Sequence, residues 1–190
     1  MKINRLILST LVPAGLMSSG AMAADGTITF TGSVTASACT TVVGAGQTGG
    51  SMASGSATVS LPNVPSDIFT AQGVYAGHTA FSIELAGCEA TGSLQNVRAL
   101  FTTASPAVED SFVMANTAAS GAAGVGVAIL TPTGTQIDLN NGASIDPGAA
   151  LPTGTPSGMT LNYIAAYKSL AASVGQGDVT GVADYVISYF

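Results

Sequence analysis

Basic residues are nearly missing from this chain. Four Lys and Arg stand against ten Asp and Glu, and because Lys2 and Arg5 lie at its start, only Arg98 and Lys168 remain in the rest. Nucleic acid and anionic membrane are recognised through clustered Lys and Arg, so the charge balance disfavours both as partners and no nucleic acid is expected. Tryptophan is absent and aromatic residues make up 6% of the chain, too few for the two girdles of an outer-membrane barrel. If the C-terminal residues were the last strand of such a barrel, Asp184, Val186, Ser188 and Phe190 would share the lipid face, and two of these four are polar or charged. With His78 as the single histidine and no nucleophile-elbow motif, a hydrolase triad has little to be built from. Glu84 and Glu89 flank Cys88 without metal-ligand spacing. Glu109 and Asp110 beside Pro106 read as a solvated loop tip and not as an acid/base pair. Gly124-Val125-Gly126 lacks the third glycine and following helix of a nucleotide site. No enzyme, cofactor or metal is expected.

Apolar runs long enough to cross a bilayer are also lacking, so no direct membrane insertion is expected. Leu6 to Met17 is apolar but short, follows Lys2 and Arg5, and leads to Ala21-Met22-Ala23, the three parts of a secretory signal. Residues 1–23 are read as that signal, which makes Ala24 the mature N-terminus and leaves one domain of ordinary size. Only two cysteines occur, Cys39 and Cys88. In an exported chain they are expected to form one disulfide, with two free thiols as the alternative. Charged residues are only 7% of the total, so Thr, Ser, Asn and Gly must build most of the polar surface. Such a composition suits a secreted β-protein packed against copies of itself, the alternative being a Thr-rich monomeric sandwich.

What is present is strand alternation. Gly26 to Thr35 places Ile28, Phe30, Gly32 and Val34 on one face and Thr27, Thr29, Thr31 and Ser33 on the other. Tyr185 to Phe190 alternates as well, with Tyr185, Ile187 and Tyr189 on one face of a strand that reaches the last residue. Further strands are predicted at Ala57 to Leu61, closed by Pro62 and Pro65, and at Thr79 to Leu85, with Phe81, Ile83 and Leu85 inward and Ser82 and Glu84 outward. The series continues with Gln95 to Thr102, Val125 to Leu130 and Gln136 to Leu139. Asn140-Asn141-Gly142 then supplies a tight turn. Met159 to Tyr167 carries Met159, Leu161, Tyr163, Ala165 and Tyr167 on one face. Gly44 to Gly55, Ala115 to Gly124 and Asp146 to Gly158 read as loops. Short strands at this spacing without helical periodicity predict an all-β sandwich of immunoglobulin type.

The ordered set DGTITFTGSV leading to ASACT, LAGC at the second cysteine, NYIAAY, and GDVTGVADYVISYF with its penultimate Tyr189 resembles the major pilins of chaperone-usher fimbriae, of the F17 and type 1 kinds. Phe190 departs from the polar residue with which members more often end. The resemblance implies an incomplete immunoglobulin-like sandwich that lacks its last strand, with a donor-strand extension at residues 24–36 and a sandwich domain at 37–190. It implies a structural subunit of a surface fimbria that polymerises by donor-strand exchange, exported through the periplasm to the cell surface. Its partners would be other copies of itself and related pilins, a periplasmic chaperone and an outer-membrane usher. Ile28, Phe30, Gly32 and Val34 map to the donor strand, Gly32 being where the groove floor leaves no room for a side chain. Tyr185, Ile187, Tyr189 and Phe190 map to the acceptor groove and chaperone-binding strand. In a single chain, Gly26 to Thr35 is expected to project from the body. The alternative is a minor adaptor or small carbohydrate-binding adhesin of the same pathway, although tip adhesins carry an extra binding domain for which this chain is too short.

Overall fold

The computed structural model describes residues 38, 39, 41–47 (backbone), 57–140 and 146–190. Eight strands form two antiparallel sheets: β1 (Thr41–Gln47), β2 (Tyr75–Cys88), β3 (Asn96–Thr102), β4 (Met114–Ala115), β5 (Val125–Leu130), β6 (Ala149–Ala150), β7 (Ser157–Ser169) and β8 (Asp184–Tyr189). The larger sheet has the order β1-β2-β7-β5-β4 and the smaller β6-β3-β8. Among the described residues the regular elements are otherwise limited to one 3-10 turn, Ser66–Ile68.

Alternation explains the layering. Phe81, Ile83 and Leu85 of β2, Leu161, Tyr163 and Ala165 of β7, and Val97, Ala99 and Phe101 of β3 are buried in one core between the sheets. Phe81, Phe101 and Tyr163 meet at its centre, Phe101 standing edge-on to Tyr163 with centroids 4.9 Å apart. Both faces of β5 are covered, because Ala107 and Val113 fold over its outer side onto Ala128 and Leu130. That flap is fastened by Lys168, whose Nζ donates to Asp110 Oδ2 at 2.6 Å and to Gln136 Oε1 at 2.6 Å.

Cys39 and Cys88 form the disulfide. Strict alternation from Leu85 would aim Cys88 at the opposite face, but a register shift between Leu85 and Cys88 contains Gly87 at φ 62°, and the extra residue turns Cys88 back into the core, where it is 0% exposed.

Several expectations are corrected. Ala57 to Leu61 joins no ladder; Val59 and Leu61 pack on the core from the side, ahead of Pro62 and Pro65, which have no N–H to donate. Gln136 to Leu139 makes only one bridge, Leu130 with Gln136, because the five-residue reversal from Thr131 to Thr135 leaves just Ile137 N–H to reach Ile129 O. Gly44 to Gln47 belongs to β1 and not to a loop, pairing with Glu84 to Phe81, since glycine can join a ladder beside a strand that supplies the side chains. Short strands also occur within the predicted loops, β4 at the start of one and β6 in another. Ser82, expected outward, is only 3% exposed; it sits in the middle of the sheet, flanked by Gly46 of β1 and Asn162 of β7, and its side chain is small. Asp110, expected at a solvated tip, is the half-buried partner of Lys168. The predicted leader, the donor segment Gly26 to Thr35 and its projection, and the turn at Asn141-Gly142 lie outside the described residues.

Candidate functional site

An open groove of about 1960 Å³ runs along the sandwich beside β8. One bank is β8 with the stretch before it, Val174 to Ala183; the other is the unladdered segment Ala57 to Leu61 with Asn63 to Asp67. Its floor is core: Phe81 and Ile83 of β2, Val127 and Ile129 of β5, and Ala165 and Tyr167 of β7. Tyr185, Ile187 and Tyr189 line it while packing on the core, and all three are only partly buried. Side chains continuous with a core yet open to water on one side form the kind of surface that soluble proteins cover with a partner.

β8 is an edge strand, and among the described residues it pairs only with β3. Phe190 and Asn96 exchange both backbone hydrogen bonds. Antiparallel pairs alternate between bonded and non-bonded, so Ser188, Val186 and Asp184 direct their N–H and C=O to β3, while Tyr189, Ile187 and Tyr185 direct theirs to the groove edge. A row of outward-facing backbone groups is a template for another strand. Phe190 is placed differently from the other three predicted acceptor residues. It is not among the groove-lining residues, and its ring lies under the Arg98 guanidinium, 4.3 Å from the ring centroid. The predicted donor residues Ile28, Phe30, Gly32 and Val34 lie outside the described residues.

Burial raises the Tyr189 phenol above its usual value, partly offset by a hydrogen bond from the Cys39 N–H that ties β8 to the disulfide. Burial also raises Tyr167 in the floor. On the outer face of the large sheet, burial of Asp110 opposes its ionisation, but the hydrogen bonds from Lys168 and the Phe112 N–H outweigh it and hold the carboxyl below its usual range. Among the described residues no group of three or more His, Cys, Asp or Glu could hold a metal ion.

The clasp at one end of the groove has no signature in the sequence. Asn116, just after β4, uses its whole amide: Nδ2 donates to Ala122 O at 3.0 Å and Asp178 O at 2.8 Å, while Oδ1 accepts from Ala118 N at 3.1 Å and Thr180 N at 2.9 Å. The two loops must approach closely for this. A Cβ on Gly177, whose φ is 147°, would come within 2.6 Å of Ala122 N and Ser120 O. An asparagine opening a loop of small residues is a common local-turn signal, but nothing in the sequence names a partner sixty residues away.

Comparison with known proteins agrees with this architecture. The family model described as "Fimbrial protein" matches residues 28–190. The chain is 32% identical to the F17 fimbrial protein of Escherichia coli, with 97% of each chain covered. It is 32% identical to a major fimbrial subunit of Stenotrophomonas maltophilia, covering 89% of this chain and 95% of that one. Among solved structures, the subunit in a chaperone-usher pilus superposes with a TM-score of 0.57 at 19% identity over 96% of this chain and all of that one. The antigen and type I fimbria protein of Burkholderia pseudomallei gives 0.52 at 24%, over 77% and 93%.

Proposed function

The chain belongs to the fimbrial protein family, as a subunit of the chaperone-usher type, and from that premise we propose that it polymerises by donor-strand exchange as the repeating subunit of the shaft. Subunits of this family assemble with other pilins into surface fimbriae and are not enzymes. In the proposed reading, residues 1–23 are removed on export and residues 24–36 of one copy leave its own body. Ile28, Phe30 and Val34 enter the groove of a neighbour, with Gly32 where the floor is closest. Each apolar side chain so buried contributes about 1.5 to 3 kcal/mol, and the donor backbone pairs with the groove edge of β8. Head-to-tail contacts of this kind do not close on themselves and so build a filament. Until exchange occurs, a periplasmic chaperone covers the groove, and an outer-membrane usher is the place of handover.

The observation that supports this reading best is the apolar groove itself, floored by the core and edged by a strand with outward-facing backbone groups. Electron microscopy of cells making a chain that keeps its leader but lacks residues 24–35 tests it. The reading expects no filaments, with the subunit retained in the periplasm; filaments of ordinary length and number would refute it. Gold labelling of the intact subunit along the whole filament supports the shaft position, and labelling confined to the tip would favour an adaptor.

A further inference from the structure

We infer that the strand-accepting edge is about twice as long as β8 and that Asn116 is the positioning residue that creates its first half. This inference rests on the donor-strand reading above.

β8 is too short for its proposed occupant. β8 has six residues and offers about 20 Å of edge, whereas the ten residues from Gly26 to Thr35 span about 33 Å as a strand. From Asp178 the chain enters β8 without turn or bend, and its backbone bonds keep a single phase throughout. Asp178 N–H reaches Ser120 O and its C=O accepts from Ala122 N. Thr180 C=O accepts from Thr117 N, and Val182 C=O accepts from Thr103 Oγ1 at 2.8 Å. Asp184, Val186, Ser188 and Phe190 continue the same phase against β3. Even-numbered residues from 178 to 190 therefore face the body, and Val179, Gly181 and Ala183 direct their N–H and C=O to the same groove edge as Tyr185, Ile187 and Tyr189.

β3 ends at Thr102, opposite Asp184, so it cannot hold the stretch from 178 to 183. Asn116 takes its place, together with the backbone of Thr117, Ser120 and Ala122. Its Oδ1 accepts the Thr180 N–H while its Nδ2 donates to the Asp178 carbonyl, the two bonds that a single residue of a parallel neighbouring strand would make to the residues on either side of Val179. The side-chain amide continues the ladder where the strand stops, and every hydrogen-bonding position of that amide is occupied. Val179 and Ala183 then pack on the main core in line with Tyr185 and Ile187, which keeps the side-chain alternation continuous as well.

The test is binding of synthetic peptides to the full mature chain, comparing residues 24–35 with the six-residue halves 24–29 and 30–35, for wild type, Asn116→Ala and Asn116→Asp. Wild type should bind the long peptide at least about tenfold more tightly than either half, since several more backbone pairs form. Asn116→Ala should lose that advantage while binding one of the halves as wild type does. Asn116→Asp, which keeps the acceptor for Thr180 but loses the donor to Asp178, should fall between. Retention of the full advantage in Asn116→Ala overturns the inference and leaves the donor-strand reading intact. Equal weakening of all three peptides shows a general structural role and overturns it too. If wild type binds no peptide, the donor-strand reading itself fails and takes the inference with it.

Discussion

The Tyr163 hydroxyl donates a 2.8 Å hydrogen bond to the Asp146 carboxylate and accepts one of 3.0 Å from the Ala99 N–H. Tyr163 belongs to the large sheet and Ala99 to the small one, so a single buried oxygen links the two layers and neutralises the demand of a buried carboxylate. Asp146 is 8% exposed and also accepts from Gly148 N–H. Tyr163→Phe keeps the ring packed against Phe81 and Phe101 but orphans both partners. It should cost about 2 to 3 kcal/mol and lower Tm by about 5 to 10 °C, measured by thermal unfolding of chain saturated with donor peptide. An unchanged Tm would mean the hydroxyl holds nothing.

The same residue predicts a response to alkali. Burial raises the Tyr163 phenol, assisted by the Asp146 carboxylate and opposed by the Ala99 N–H; burial also raises Tyr167 and Tyr189. A folded-state value above the unfolded one means these groups favour the fold while neutral. Their contribution is complete below about pH 10 and is lost as pH rises through the folded values. Tm should therefore fall above about pH 10, and Tyr163→Phe should fall less steeply than wild type over that range. A parallel fall would assign the alkaline loss to other groups.

Replacement of both Cys39 and Cys88 by serine opens a loop whose ends are 49 residues apart, and by loop-closure entropy this should cost about 4 kcal/mol. Denaturant unfolding in the presence of donor peptide checks it. A loss below about 1 kcal/mol would mean that the core alone holds the two segments together.

On the proposed donor-strand reading, Gly32→Leu should stop polymerisation and leave the chaperone-bound subunit intact, since it would add bulk to the donor and none to the recipient body. Fibre growth at the wild-type rate would count against the proposed register.

How far the sequence could be read depended on whether a signal was local. Phe81, Ile83 and Leu85 alternate because one face of β2 is core, and Val125–Leu130 is one apolar run because both faces of β5 are covered; each pattern was visible without a partner. Ala57 to Leu61 alternates in the same way but flanks the groove without joining a ladder, which no property of five residues can reveal. Gly44 and Gly46 carry no side-chain pattern and so read as loop, yet they pair with Glu84 and Ser82. The groove-lining aromatics of β8 were legible from their period of two. Asn116 was not, since its meaning lies in Asp178 and Thr180, which only the fold brings to it.

In the proposed reading the body lacks one strand and residues 24–35 supply it. Appending a second copy of those residues after Phe190 through a flexible spacer places a donor at high effective concentration beside the groove. Thermal unfolding of the extended and unextended mature chains, both as purified monomers, measures the consequence directly. Three apolar side chains buried at about 1.5 to 3 kcal/mol each should raise Tm by at least about 10 °C and leave a monomer that no longer polymerises. An extended chain that melts no higher than the unextended one would contradict the incomplete-sandwich account.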